Sequence, residues 1–258
     1  MHDTHHHKPS RLYLLLGAFF VTNALLAEFV GAKIFSLEST FELAPLQLRT
    51  FIEQPLDLNL TAGVLLWPFV FVMTDIINEY YGKRGVRRLS FVAIGMIVYA
   101  FAAVYGIMQL EPAGWWRTKS LADGTTIDME RSFDAIFGQG LWIIAGSIVA
   151  FLIGQFLDVW VFQWLKRRTG ERWIWLRATG STVVSQLVDS FVVLYIAFGL
   201  GSDWSGSMIV SVALVNYAFK FCSAILMTPL VYLVHGIIER YLGAQLAGEM
   251  RAAALRGE

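Results

Sequence analysis

The stretch "TDIINEYYGKRGVRR", Thr74–Arg88, closes a run too apolar for water, "LTAGVLLWPFVFVM" at 60–73. It presents Asp75, Asn78 and Glu79 in quick succession, then Gly82, then Lys83, Arg84, Arg87 and Arg88. Helical spacing places Asp75, Asn78 and Glu79 at i, i+3 and i+4, on one face. Glycine at 82 is a helix stop, and the arginines hold the following turn in water. The stretch therefore reads as the end of a membrane-spanning helix that turns acids inward and leaves cations at the lipid–water boundary.

The rest of the chain supports that reading. Its 258 residues are 56% hydrophobic with a mean hydropathy of +0.56, above the roughly 45–50% apolar content of soluble domains. Net charge is zero, so no global attraction to nucleic acid follows. Six stretches are long and apolar enough to cross a hydrocarbon core about 30 Å thick: 11–34, 61–81, 88–110, 137–165, 178–200 and 205–238. Strand-like alternation is absent from them, so they are predicted as helices. Cys222, the single cysteine, excludes a disulfide framework and reads as a small buried hydrophobe.

Basic residues set the orientation. Lys8 and Arg11, the Lys83–Arg88 cluster, Lys166, Arg167, Arg168, Arg172 and Arg177, and Arg240, Arg251 and Arg256 all fall on one side of the alternation. That side is cytoplasmic by the positive-inside rule. The other side has few cations, Arg49 among them, and collects acids such as Glu53, Asp57, Asp128 and Asp203. The expectation is an all-α integral membrane protein of six transmembrane helices with both termini in the cytoplasm. Residues 1–10 form a disordered His-rich tail, 11–240 a single transmembrane domain and 241–258 a second tail. The long outer connections, 35–60 and 111–136, are expected to cap the outer face.

Charged residues inside the apolar stretches are the functional candidates. They are Glu28, Lys33, Asp75, Glu79, Asp158, Asp189 and Lys220. Each costs roughly 2.5–3.5 kcal/mol near the bilayer centre, so such groups face the bundle interior and mark a pathway or site. Lys33 and Glu79 lie near span ends, where snorkelling to the interface is the plain alternative. The pattern Gln-x-x-Asp occurs as Gln155/Asp158 and as Gln186/Asp189, and Asn216 shares a face with Lys220. Asp158 continues a small-residue row, Gly146, Ala150 and Gly154, which predicts close approach to a neighbouring helix. Pro68 and Pro229 interrupt two spans. A carboxylate-rich interior suits a cation, a proton relay or a heterocycle with N–H donors, and argues against phosphates.

An intramembrane enzyme is the rival class. The chain has no H-E-x-x-H, P-loop or G-x-S-x-G motif, and no metal or cofactor is expected. A substrate-free scaffold gains little from inward acids.

"TDIINEYYGKRGVRR", with "SQLVDSFVVLYIAF" and "NYAFKFCSAILMTPLVYLV" downstream, resembles the bacterial queuosine-precursor transporter family, earlier described as vitamin-uptake transporters. The resemblance runs from about residue 12 to 242. It implies an inner-membrane carrier of 7-deazaguanines, the cyano and aminomethyl queuosine precursors, serving tRNA queuosine salvage. It also implies a bundle like the six-helix substrate-binding subunits of energy-coupling-factor transporters, here acting without an ATP-driven motor and as a homodimer. Uptake of a vitamin or another purine-like heterocycle, as a carrier or as a substrate-binding subunit, is the alternative. Asp189 or Glu79 would accept from the N1–H and exocyclic amine of the guanine-like edge, with Gln186 and Asn216 completing it. Lys220 would hold the ring carbonyl or balance Asp189. Asp75 and Asn78 join them as substrate-site candidates, and Glu28, Asp158, Gln155 and Thr228 as gating or structural polar groups.

Overall fold

The computed structural model describes residues 3–31, 33–42, 44, 58–138, 141–170, 172–200 and 204–256. The outer-side charges Arg49, Glu53, Asp57 and Asp203 lie outside the described residues. Among the described residues, five helical stretches are long and apolar enough to cross a bilayer: His7–Val30, Ala62–Ile107, Ile144–Thr169, Ile174–Leu200 and Gly206–Leu242. They belong to α1 (Asp3–Val30), a 3₁₀ turn (Ala62–Leu65) leading into α3 (Trp67–Ile107), α5 (Leu141–Thr169), α6 (Ile174–Leu194) with a π-helical end (Tyr195–Leu200), and α7 (Gly206–Leu242).

The 41 residues of α3 would extend about 60 Å if straight, twice the thickness of a hydrocarbon core. They are not straight. Gly82 sits at φ 64°, ψ −170° and breaks the helix. The contacts of α1 show what the break does. Tyr13, near the start of α1, donates to Gly85 O (2.8 Å) and packs on Tyr81. At the other end, Ala27 meets Gly63 and Phe29 stacks on Phe101. Residues 63 and 101 thus lie at one end of α1 and residues 81–85 at the other, so the chain folds back at Gly82. The positive φ suits glycine, and a Cβ there would lie 3.0 Å from Ala254 O.

Ala254 belongs to α8 (Ala244–Arg256), which packs against α3 with Ala247 and Ala254 buried. Part of the expected C-terminal tail is therefore a docked helix. At the N-terminus, residues expected to be disordered extend α1 back to Asp3. Lys8 Nζ there donates to Tyr241 O (3.0 Å), and Tyr81 Oη to Pro9 O (2.7 Å).

The connections are not purely helical. Ile34–Ser36 (β1) pairs antiparallel with Asn59–Thr61 (β2), with α2 (Leu37–Thr40) following β1. Thr118–Ser120 (β3) pairs with Thr126–Asp128 (β4), and α4 (Met129–Phe137) follows. Asp128 caps α4 by accepting from Arg131 N. In the β3–β4 turn, hydrogen bonds from Thr125 hold the Asp123 carboxyl below its usual range. The chain is otherwise mostly helical, as the all-α expectation has it; these two short ribbons lie outside the apolar runs on which that expectation rested.

An apolar core around Phe20, Ile76 and Phe151 is joined inside by large polar side chains, and many apolar ones face outward. Arg177, Lys166, Gln155, Gln163 and Gln186 rank among the largest fully buried side chains, whereas Leu14, Leu15, Tyr99 and Leu226 are well exposed. Cys222 is exposed on α7, not buried as expected; in lipid an outward apolar side chain costs nothing. Pro68 occupies the first turn of α3, where no helical bond is lost, and Pro229 sits inside a continuous α7.

Candidate functional site

A polar seam runs between α3, α5 and α6. On α6 it is a row at four-residue steps, Arg177, Ser181, Ser185 and Asp189. On α5 it is Gln155, Asp158, Gln163 and Lys166, and on α3 Thr74, Asp75, Asn78 and Glu79. Small residues bring α5 and α6 together as their spacing predicts. A Cβ at Gly146 would lie 3.1 Å from Val193 O, and one at Gly154 would lie 3.6 Å from Asp189. Asp158, fully buried, accepts from Ser185 Oγ (3.2 Å).

The seam ends near Gly82 in a buried ion cluster. Glu79 is 3.1 Å from Lys166 Nζ and 3.3 Å from Arg177 Nη2. Lys166 also donates to Glu79 O (2.9 Å), and Arg177 to Gly170 O. The Arg177 guanidinium lies 5.8 Å from the Phe162 ring centroid. Asn78, one turn along α3 from Asp75, accepts from Gln163 Nε2 (2.7 Å). Lys166 and Arg177 are the residues that charge counting assigned to a water-exposed turn. The four-residue row from Arg177 to Asp189 is the signal that places Arg177 inside.

Above the cluster, α3, α6 and α7 enclose a narrow cleft of about 430 Å³, counting the space at its open side. Trp67, Phe71 and Met227 supply its apolar walls, and Asp75, Gln186, Lys220 and Thr228 its polar groups. Asp75 also receives Ser181 Oγ at 3.5 Å, which links cleft to seam. Lys220 pairs with Asp189. Thr228 Oγ1 lies 3.3 Å from Thr179 Oγ1. Gln186 is 1% exposed, and neither its Oε1 nor its Nε2 has a hydrogen-bond partner among the described residues. A buried primary amide with both ends unmet costs several kcal/mol unless a ligand or water meets it.

The candidates thus divide. The cleft gathers Asp75, Gln186, Lys220 and Thr228, with Asp189 behind Lys220. Asn78 and Glu79 are committed to the seam, and Gln155 accepts from Thr74 Oγ1 (3.1 Å). Asn216 is half-buried and donates to Val212 O of its own helix (3.0 Å). Glu28 receives a hydrogen bond from Ser147 across α1 and α5. Lys33 is exposed at the end of α1, as snorkelling predicts. No cluster of metal-ligating side chains occurs among the described residues.

Apolar helices wrapped around a buried polar seam, with a mixed cleft opening beside it, are the architecture of a multi-pass membrane protein. The family model described as "Putative vitamin uptake transporter" matches residues 61–234, and the chain belongs to that family. It is 28% identical over 176 residues to the "Probable queuosine precursor transporter" of Bacillus subtilis (strain 168), covering 68% of this chain and 71% of that protein. It is 29% identical over 205 residues to the "Queuosine precursor transporter" of Escherichia coli (strain K12), covering 78% and 82%. No solved structure matches the chain.

Proposed function

We propose that the protein imports queuosine precursors, 7-cyano-7-deazaguanine, 7-aminomethyl-7-deazaguanine or both, across the bacterial inner membrane. Similarity to relatives named for queuosine precursors supports the substrate class. The observation that carries the site is the buried, unpartnered amide of Gln186 beside Asp75 and Lys220. A 7-deazaguanine edge offers an N1–H and an exocyclic amine to one carboxylate, and a carbonyl and N3 to other groups. Asp75 takes the two donors, Gln186 meets N3 and the amine, and Lys220, held by Asp189, faces the ring carbonyl. Trp67 and Phe71 flank the flat ring. Asp75, which lines the cleft, takes the reading role expected of Asp189 or Glu79, because Asp189 is paired with Lys220 and Glu79 with two buried cations.

In this reading the fold-back at Gly82 makes α3 two crossings and gives six in all. Lys83–Arg88 and the α5–α6 connection lie in the cytoplasm with both termini. Residues 11–240 form the single transporter domain, flanked by 1–10 and 241–258. The carrier works as a homodimer without a motor.

Ligand-induced thermal stabilisation of the purified protein across purines, 7-deazapurines and vitamins tests the proposal. A shift confined to 7-deazaguanines is expected. A shift only with a vitamin establishes the alternative substrate class and overturns this one.

A further inference from the structure

A second groove lies between α5 and the arm of α3 that follows Gly82, with an empty volume of about 880 Å³ counting its open side. Its rim is basic. Lys83, Arg84 and Arg87 are exposed there, and among the described residues no carboxylate lines the groove. Among the described residues these three cations have no ion pair or hydrogen bond of their own. At the floor, Ser90 and Gln155 are 1% exposed, and Ser90 Oγ and Gln155 Nε2 have no hydrogen-bond partner among the described residues. The wall is aromatic and faces outward, with Phe156 43% and Trp160 59% exposed. Phe91, next along α3, meets Phe156 edge-on with centroids 6.1 Å apart.

We propose that this groove binds an anionic phospholipid, its phosphate among Lys83, Arg84 and Arg87 and its acyl chains along Phe91, Phe156 and Trp160. Cations at the boundary of an apolar run, opening onto an outward aromatic track, match an amphiphile with an anionic head. The lack of a lining carboxylate disfavours a zwitterionic headgroup, whose ammonium would find no partner. A free phosphate would use the rim and leave the track bare. The site needs only a membrane-embedded chain and is independent of the transported substrate.

Arg88 supplies an internal control. It carries the same charge in the same turn but does not line the groove. The experiment is native mass spectrometry of the detergent-purified protein with phosphatidylglycerol, phosphatidylcholine or inorganic phosphate. Wild type is expected to retain one phosphatidylglycerol per chain in preference to phosphatidylcholine. Arg84→Gln/Arg87→Gln is expected to weaken retention roughly 30-fold, or about 2 kcal/mol for two cations, and Arg88→Gln to leave it at the wild-type value. Equal retention of the two lipids, equal weakening by Arg88→Gln, or full displacement by inorganic phosphate overturns the proposal. A dimer that closes the groove and retains no lipid does the same. If the double variant does not survive purification, the lipid comparison on wild type decides.

Discussion

Replacing Glu79 with glutamine tests the inner ion cluster. The side chain keeps its size and loses its charge, leaving Lys166 and Arg177, 1% and 0% exposed, with no carboxylate at 3.1 and 3.3 Å. Removing one partner of a buried ion pair costs about 3–5 kcal/mol. The new amide still accepts one bond from Arg177, so the lower end, about 3 kcal/mol, applies. For a chain of this size that corresponds to a melting-temperature drop of roughly 6–12 °C. Tryptophan-fluorescence unfolding of the detergent-solubilised protein reads it directly. Lys166→Met should cost less, because Arg177 still pairs with Glu79. The triple variant Glu79→Leu/Lys166→Met/Arg177→Met should regain most of the loss, since an all-apolar replacement leaves no orphaned charge. A Glu79→Gln protein that melts within about 2 °C of wild type would refute the reasoning, and so would a triple variant worse than the single.

Gly82→Ala forces a Cβ into a left-handed conformation and toward Ala254 O at 3.0 Å. It should cost about 1–2 kcal/mol or more and make α8 more sensitive to protease; truncation after Gly243 should relieve only the steric part. Gly63→Ala places a Cβ 2.4 Å from the backbone oxygen of Ala27 and should lower the melting temperature, whereas Gly95→Ala, which meets nothing within 4 Å, should be neutral or stabilising. In uptake assays Lys220→Met should fail, and Asn216→Ala should work, because Lys220 lines the cleft and Asn216 does not.

Much of the bundle was legible because apolar runs report spanning helices directly. Gly82 as a helix stop and the Gly146–Ala150–Gly154–Asp158 row as a contact face both follow from local chemistry, and both hold. The site was legible only in part. Spacing shows which polar residues share a face, so Gln186 and Lys220 could be named as inward groups. It does not show which inward groups are satisfied by one another. Glu79 looked available because Lys166 and Arg177 sit beyond the apolar runs, yet their long side chains reach back into the bundle. Asn216 looked like a cleft residue because it precedes Lys220 by one turn, but its amide bonds backward along α7. The two ribbons escaped because strands of three residues leave no periodicity to read.

The most direct test of the central claim is uptake of labelled 7-cyano-7-deazaguanine and 7-aminomethyl-7-deazaguanine by cells unable to make them, carrying wild type or Gln186→Leu at equal membrane abundance. Wild type should restore queuosine in tRNA from at least one precursor. Gln186→Leu should cut its uptake roughly 10-fold or more, the cost of losing buried hydrogen bonds to the ring. Undiminished uptake by Gln186→Leu would contradict the cleft as the substrate site, and no uptake of either precursor by wild type would contradict the substrate itself.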